Sequence, residues 1–287
     1  MKKRNPVEHF NDGRKAWENE AFGLVRFRGY AITVLTTVVL CGVPWWWPPN
    51  LGIFSISGDL ALILLIASFG FLFLASMLYL RHRVIRSLNM KYHLHMISHE
   101  IRNHFIDIQS GNYNQSIEHL THEVCNLVQR YFSILTNHKS NIGVAIRLAE
   151  KIDGKTVYKT FGRSCLNKNR GENSKVLGVN EGVAHILRND KEKKGMLVYN
   201  DIPAAIAAGA YVEHPNDKDF PDDFCTMMVA PINGWDGEKK GMLGIIYITS
   251  SKKRVFGEKY TDSMGFISDA LASIYSVSAQ YTPSNNP

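Results

Sequence analysis

Cysteine is scarce and scattered in this chain. Cys41, Cys125, Cys165 and Cys225 are the only four in 287 residues, and no Cys-x-x-Cys pair exists. That spacing offers neither a disulfide framework nor a cysteine-built zinc site. The familiar catalytic signatures are missing too. There is no Gly-x-Ser-x-Gly elbow, no Walker loop, no His-Glu-x-x-His and no paired catalytic carboxylates. The chain is therefore not read as an enzyme, and no metal or cofactor is expected. Its formal charge of +7 comes from 33 Lys and Arg against 26 Asp and Glu. No basic stripe interleaved with aromatics goes with that charge, so no nucleic-acid partner is expected.

Charge is most conspicuously absent from two stretches. Residues 29–47, GYAITVLTTVVLCGVPWWW, carry none, and residues 59–80, DLALILLIASFGFLFLASMLYL, carry only Asp59 at the mouth. Each is close to the roughly 20 apolar residues that cross a hydrocarbon core. Trp45, Trp46 and Trp47 are suited to the headgroup level. Pro48 and Pro49 stop the first helix, because neither can donate a backbone hydrogen bond. The expectation is an antiparallel transmembrane hairpin over 29–80. Ala61, Ser68 and Ala75, seven apart, give its second helix a stripe of small residues. That stripe is either a packing face or a product of composition.

Lys2, Lys3, Arg4, Arg14, Lys15, Arg26 and Arg28 precede the hairpin, and Arg81, Arg83 and Arg86 follow it. The positive-inside rule places both ends in the cytoplasm of a bacterium with a two-pass inner (plasma) membrane anchor. Anionic lipid is the simplest partner for these flanking cations. Residues 1–28 are read as a cytoplasmic N-terminal segment.

Residues 81–110 contain no Pro and no Gly. Met90, Leu94, Ile97, Ile101, His104 and Ile108 follow steps of four and three, the seam of a coiled coil. This predicts a linker helix that pairs with a second copy, as a homodimer or higher homo-oligomer. Within it, Ser98-His99-Glu100-Ile101-Arg102-Asn103 resembles the phosphoacceptor box of sensor histidine kinases. The family's usual Pro two positions after the Arg is His104 here, and no Asn-rich or paired-glycine nucleotide box is found. Three readings of His99 stand side by side: a relic of a dimerisation helix, a phosphoacceptor served in trans, or half of a metal site with His95 at i, i+4.

Beyond a break at Ser110-Gly111-Asn112, residues 111–281 alternate helix and strand, with a disordered tail expected over 282–287. The patterns predict a helix over 115–136, a hairpin of 142–152 and 155–165 around Asp153-Gly154, and a short helix over 182–189. A strand over 195–199, strands over 224–232 and 241–250, and a final helix over 257–275 follow. The implied fold class is α+β, an antiparallel sheet with flanking helices. Met227-Met228-Val229-Ala230-Pro231-Ile232 followed by Gly241-Met242-Leu243-Gly244-Ile245-Ile246-Tyr247-Ile248, with Leu197 to Ile202 before them and Phe256, Tyr260 and Asp262 after, resembles the GAF domain. GAF domains are small-molecule sensing folds related to PAS.

The resemblance implies a ligand pocket on one sheet face, lidded by residues 204–223. The Asn-Lys and Asp-Glu sets of cyclic-nucleotide GAF domains are replaced here, with Ser250 and Ser251 near the first. That argues against a simple cyclic nucleotide. No cysteine is placed for bilin attachment, although Cys165 and Cys225 stay open. Candidate ligand-binding residues are Tyr199, Asp201, Thr226 and Tyr247, joined by Lys168, Arg170 and Arg188 if the ligand is a small anion. Lys175 belongs to the same basic group, and a solvated loop surface explains that group equally well.

Three functions remain in play. The first is a membrane-anchored sensor that passes ligand binding through the coiled coil to the hairpin. The second is a ligand-gated, membrane-disrupting effector of bacterial anti-phage signalling. The third is a kinase-less component phosphorylated on His99.

Overall fold

A computed structural model describes residues 7–10, 58–110, 117–137, 142–164, 175–189, 195–211 and 225–281. The expected first membrane helix, Lys168, Arg170, Cys41, Cys165, the acidic loop 213–223 and the tail 282–287 lie outside these residues. The chain divides into two compact units, 19–88 and 1–18 with 89–287.

Helix α1 runs without interruption over Gly58–Gln109. The segment 59–80, expected as the second membrane helix, is therefore helical. Among the described residues, no helix is long and apolar enough to cross a membrane. The described part of the apolar run is exposed on every side, with Phe71 71% and Phe73 68% accessible and Phe69, Leu74, Leu78 and Leu80 exposed beside them.

Among the described residues of the larger unit, seven strands form one antiparallel sheet. Strand β1 is Val7–Phe10, β2 Ile142–Ile152, β3 Lys155–Ser164, β4 Leu177–Gly178, β5 Met196–Tyr199, β6 Thr226–Trp235 and β7 Lys240–Ser250. Their order is β1-β5-β6-β7-β2-β3-β4. Helices α2 (Ile117–Thr136), α3 (Gly182–Asn189), α4 (Ile202–Ala207) and α5 (Thr261–Tyr281) complete the α+β fold. The β2–β3 hairpin turns through Asp153 (φ 51°) and Gly154 (φ 72°). This consecutive left-handed pair lets a two-residue turn match the strand twist.

Side chains alternate across the sheet, so each face is legible from register. One face carries Val144, Ile146, Leu148, Met228, Ala230, Ile232, Ile246 and Ile248, buried with the apolar sides of α2 and α5. Gly162 lies on this face, and a Cβ there would meet the Thr121 backbone of α2 at 2.6 Å. Only glycine lets helix and strand approach so closely. Thr121 Oγ1 and Tyr275 Oη, 2.9 Å apart, tie α2 to α5. The second face carries Tyr158, Leu197, Tyr199, Met227, Val229 and Ile245, buried with Val183 and Ala184 of α3 and Ile202 and Ala205 of α4.

The heptad spacing predicts a partner chain for the seam of residues 81–110. Within one chain the C-terminal part of that seam already lies in the core: Ile97 is 0% exposed, and Ile101, His104 and Ile108 are buried too. Ile97, Ile101 and Ile108 share one cluster with α2 and α5. A solitary stripe seeks any apolar surface, and α2 and α5 supply one within the same chain. The loop expected over 233–237 is mostly strand, because β6 and β7 stay paired as far as Trp235 and Lys240. Asp236 Oδ1 then accepts from the backbone N–H groups of Glu238 (2.9 Å) and Lys239 (2.8 Å) to close the turn. Residues 204–207, expected as lid, belong to α4. Strands β1 and β4 and helix α4 have no counterpart in the sequence-based expectation.

Candidate functional site

The expected site residues separate once the two sheet faces are known. Tyr199 and Tyr247 both lie on the second face. Tyr199 is 1% exposed and meets Tyr211 edge to face at 5.2 Å between ring centroids. Burial pushes its phenol up to about 12, so it stays protonated at neutral pH. Tyr247 pairs across to Val229 and Ala145, which places it near the middle of the sheet. Arg188, on the last turn of α3, is exposed, but its charge acts on the Tyr158 phenol. Burial raises the pKa of that phenol, and Arg188 opposes the shift.

Thr226 and Asp201 do other work. Thr226 precedes Met227 by one residue and therefore belongs to the face that packs on α2 and α5. Its hydroxyl donates to the Tyr199 carbonyl at 2.7 Å, closing the join between β5 and β6. Asp201 caps α4, accepting from the Ala204 N–H at 3.2 Å, and pairs with Lys253 at 3.1 Å. Both are fully occupied by local structure.

The second face also holds residues that sequence reasoning missed. Arg147, on β2, is 8% exposed. It stands opposite Ile245 on β7 and Thr160 on β3. Its Nη1 donates to the Lys175 carbonyl at 3.3 Å, and its guanidinium lies 5.9 Å from the centre of the Tyr247 ring. One row away, Ala145 sits between Arg163 and Tyr247. A signal was available in the sequence: Arg147 alternates with Val144, Ile146 and Leu148 of the core face, which puts it on the face turned away from α2 and α5. Asn200, 3% exposed at the end of β5, has neither side-chain polar atom hydrogen-bonded.

On α1, the phosphoacceptor-like segment has a specific geometry. Arg102 Nη2 lies 2.7 Å from His99 Nε2 and 3.1 Å from Nδ1. His95 and His99 contact edge to face at 5.2 Å between centroids. Among the described residues, no group of three or more His, Cys, Asp or Glu gathers to hold a metal ion.

No family model matches the sequence, and no curated protein matches it either. Solved structures do resemble it. The GAF domain of an Acinetobacter phosphoenolpyruvate-protein phosphotransferase is 11% identical, covers 66% of this chain and 96% of its own, and gives a TM-score of 0.43. A phycoerythrobilin-bound GAF domain from a cyanobacterial phytochrome gives 15%, 66%, 95% and 0.41. The type II free methionine-R-sulfoxide reductase of Thermoplasma acidophilum gives 16%, 56%, 95% and 0.39. All three scores fall below 0.5, and the architecture of this chain stands on its own strand order and core.

Proposed function

We infer that this chain is a membrane-anchored sensor whose GAF-like domain binds a small molecule on the second sheet face. The observation that carries this reading is the division of labour between the faces. One is filled by α2, α5 and part of α1, as a core requires. The other packs only on the two short helices α3 and α4 and carries Tyr158, Tyr199, Tyr247 and Arg147, of which Tyr158, Tyr199 and Arg147 are buried. Apolar and aromatic side chains with a few polar groups are the usual lining of a small-molecule site, and this face has that composition.

The apolar runs 29–47 and 59–80 and their basic flanks support an anchor in a bacterial inner membrane with both termini cytoplasmic. Helix α1 is the element that carries the signal, since it runs unbroken from Gly58 to Gln109. Binding must favour one arrangement of that helix over another for anything to be transmitted. Val84, Ile85 and Leu88 remain exposed and supply the apolar surface for pairing with a second copy. The test is a thermal-shift screen of the full chain in detergent against nucleotides, second messengers and central metabolites. At least one compound raises the melting temperature if the reading is right; a screen with no hit sinks it.

A second reading takes the hairpin as the output, a ligand-gated device that disrupts the bilayer in anti-phage signalling. The exposed phenylalanines and leucines of α1 favour it, since they leave a large apolar surface for lipid or other hairpins. Membrane depolarisation and growth arrest on activation would support it, and an unaltered membrane potential would remove it.

A further inference from the structure

Helix α1 enters the larger unit at one particular end of its sheet. Met90 and Leu94 of α1 pack on the core, and α1 stops at Gln109, a short connection before α2 begins at Ile117. Helices so joined run antiparallel, and the Arg130 charge of α2 reaches His93 of α1. The C-terminal half of α2 therefore lies beside the entry of α1. The same end holds Phe256, whose ring meets that of Phe132 at 6.5 Å between centroids, and Ile142, whose carbonyl accepts from Gln129 Nε2 at 2.8 Å. Between Ser250, which pairs with Ile142, and Phe256 runs Ser251-Lys252-Lys253-Arg254-Val255. The turns after β2 and β6, at Asp153-Gly154 and Asp236, close the opposite end of the sheet.

This loop is held in one shape. The Arg254 N–H donates to the Asn200 carbonyl at 2.8 Å, the Lys252 N–H donates to Ser250 Oγ at 3.2 Å, and Lys253 Nζ pairs with Asp201 at 3.1 Å. Arg254 is left-handed at φ 60°, a conformation that an arginine seldom adopts and that the tie to Asn200 maintains. Val255 and Phe256 are buried behind it, whereas Lys252, Lys253 and Arg254 are all exposed. The acids of the same corner, Asp201, Glu258 and Asp262, are half-buried. Three adjacent cations thus stand outermost on a fixed turn. Val7 of β1 pairs with Tyr199, next to Asn200, and Lys2, Lys3 and Arg4 precede Val7 in the sequence.

Ahead of Asn89, the same unbroken helix α1 carries the apolar run 59–80. The three cations therefore occupy the end of the unit from which the chain departs for that run. Anionic headgroups attract Lys and Arg that lie close to a membrane surface, and the attraction fades within a Debye length. A turn already fixed by its own hydrogen bonds loses little freedom on binding. We propose that Lys252, Lys253 and Arg254 form a second membrane contact, through which the sensor domain rests on anionic lipid headgroups. The inference rests on the membrane-anchor reading and adds a lipid-facing surface on the domain itself. The alternative is a solvated turn whose cations meet only water and counter-ions.

The test places the full chain in nanodiscs of phosphatidylcholine, alone or with one-third phosphatidylglycerol. The acetylation rate of each lysine is followed by mass spectrometry. Lys155 and Lys240, exposed at the opposite end of the sheet, are the internal controls. Lys252 and Lys253 react about threefold or more slowly in the anionic discs, the controls do not, and about 0.5 M NaCl removes the difference. Lys252→Gln combined with Arg254→Asn leaves Lys253 and its Asp201 partner in place, and Asn tolerates the left-handed backbone. In that double variant Lys253 returns to its rate in the neutral discs. Equal rates in the two lipids overturn the proposal. So does slowing shared by the control lysines, or slowing that the double variant retains. Loop lysines that are slow in both discs and quickened by salt also overturn it, since they then meet acids of a protein. A chain that enters the discs with its loop lysines unprotected keeps its anchor and loses only this contact. A chain that stays in solution without detergent and does not enter the discs removes both.

Discussion

Replacing Ile97 with Ala separates a seam that packs inside the chain from one that packs between chains. Ile97 is 0% exposed and shares a core cluster with Val124, Val128, Ile267 and Leu271. Truncating a fully buried Ile removes its transfer free energy and leaves a cavity, together costing ~2–5 kcal/mol. Because no part of the side chain reaches solvent, a loss of about 3 kcal/mol is expected. For a domain of this size that lowers the melting temperature by roughly 6–12 °C. Leu88→Ala, on the same helix but 59% exposed, is expected to cost less than about 0.5 kcal/mol.

The assay is thermal and urea unfolding of the full chain in detergent, repeated over a hundredfold range of protein concentration. An intramolecular seam gives an Ile97→Ala loss that is the same at every concentration. A seam buried only in a dimer gives a wild-type melting temperature that climbs with concentration, and an Ile97→Ala defect read as dissociation. That second pattern, or a Leu88→Ala loss as large as that of Ile97→Ala, would refute the packing described here.

Four further expectations follow from individual residues. Gly162→Ala drives a methyl into the Thr121 backbone of α2 and is expected to cost about 1–3 kcal/mol by urea unfolding. Thr226→Val leaves the Tyr199 carbonyl without its buried donor and is expected to cost roughly 1–3 kcal/mol by the same measurement. His93 and His104 are held below their ordinary value of 6.5, His93 by burial and then by Arg130, His104 by burial against a smaller opposing pull from Asp107. The unfolded chain therefore binds more protons below pH 6.5, so stability drops as pH falls through 6.5 and levels off below the lowered folded values. His104→Leu should flatten part of that drop in a pH series of melts, since it also removes an unpartnered buried Nδ1. Finally, His99→Ala removes a side chain whose described bond is to the exposed Arg102, so unfolding should be unchanged within about 0.5 kcal/mol; loss of signalling with folding intact would point to phosphorylation in trans.

The long periodic elements were legible in the sequence because hydrophobic pattern and turn chemistry agree there. Helix α2, the β2–β3 hairpin with Asp153-Gly154, and strands β6 and β7 all carry such agreement. Short or edge elements were not. Strand β4 consists of Leu177 and Gly178, and β1 is formed only by pairing with β5, so neither has a local period to detect. The seam on α1 was visible, but a heptad pattern does not say which surface covers it, and only tertiary packing showed that α2 and α5 do.

The site was partly legible for the same kind of reason. Tyr199 and Tyr247 stand out as large polar-tipped residues in apolar strands. Their separation from Thr226 and Asp201 depends on strand phase and capping, which a list of polar residues ignores. Arg147 is hard to single out in the sequence because one cation in a half-apolar strand reads as a solvated side chain, although its alternation with Val144, Ile146 and Leu148 encodes the face it occupies.

The most direct test of the account is to ask whether the chain carries a small molecule. Protein purified gently from its expression host is denatured, and the released compounds are identified by mass spectrometry. The account predicts a stoichiometric small organic molecule. A folded wild-type chain that releases nothing, and that no compound in the metabolite screen stabilises, would contradict it.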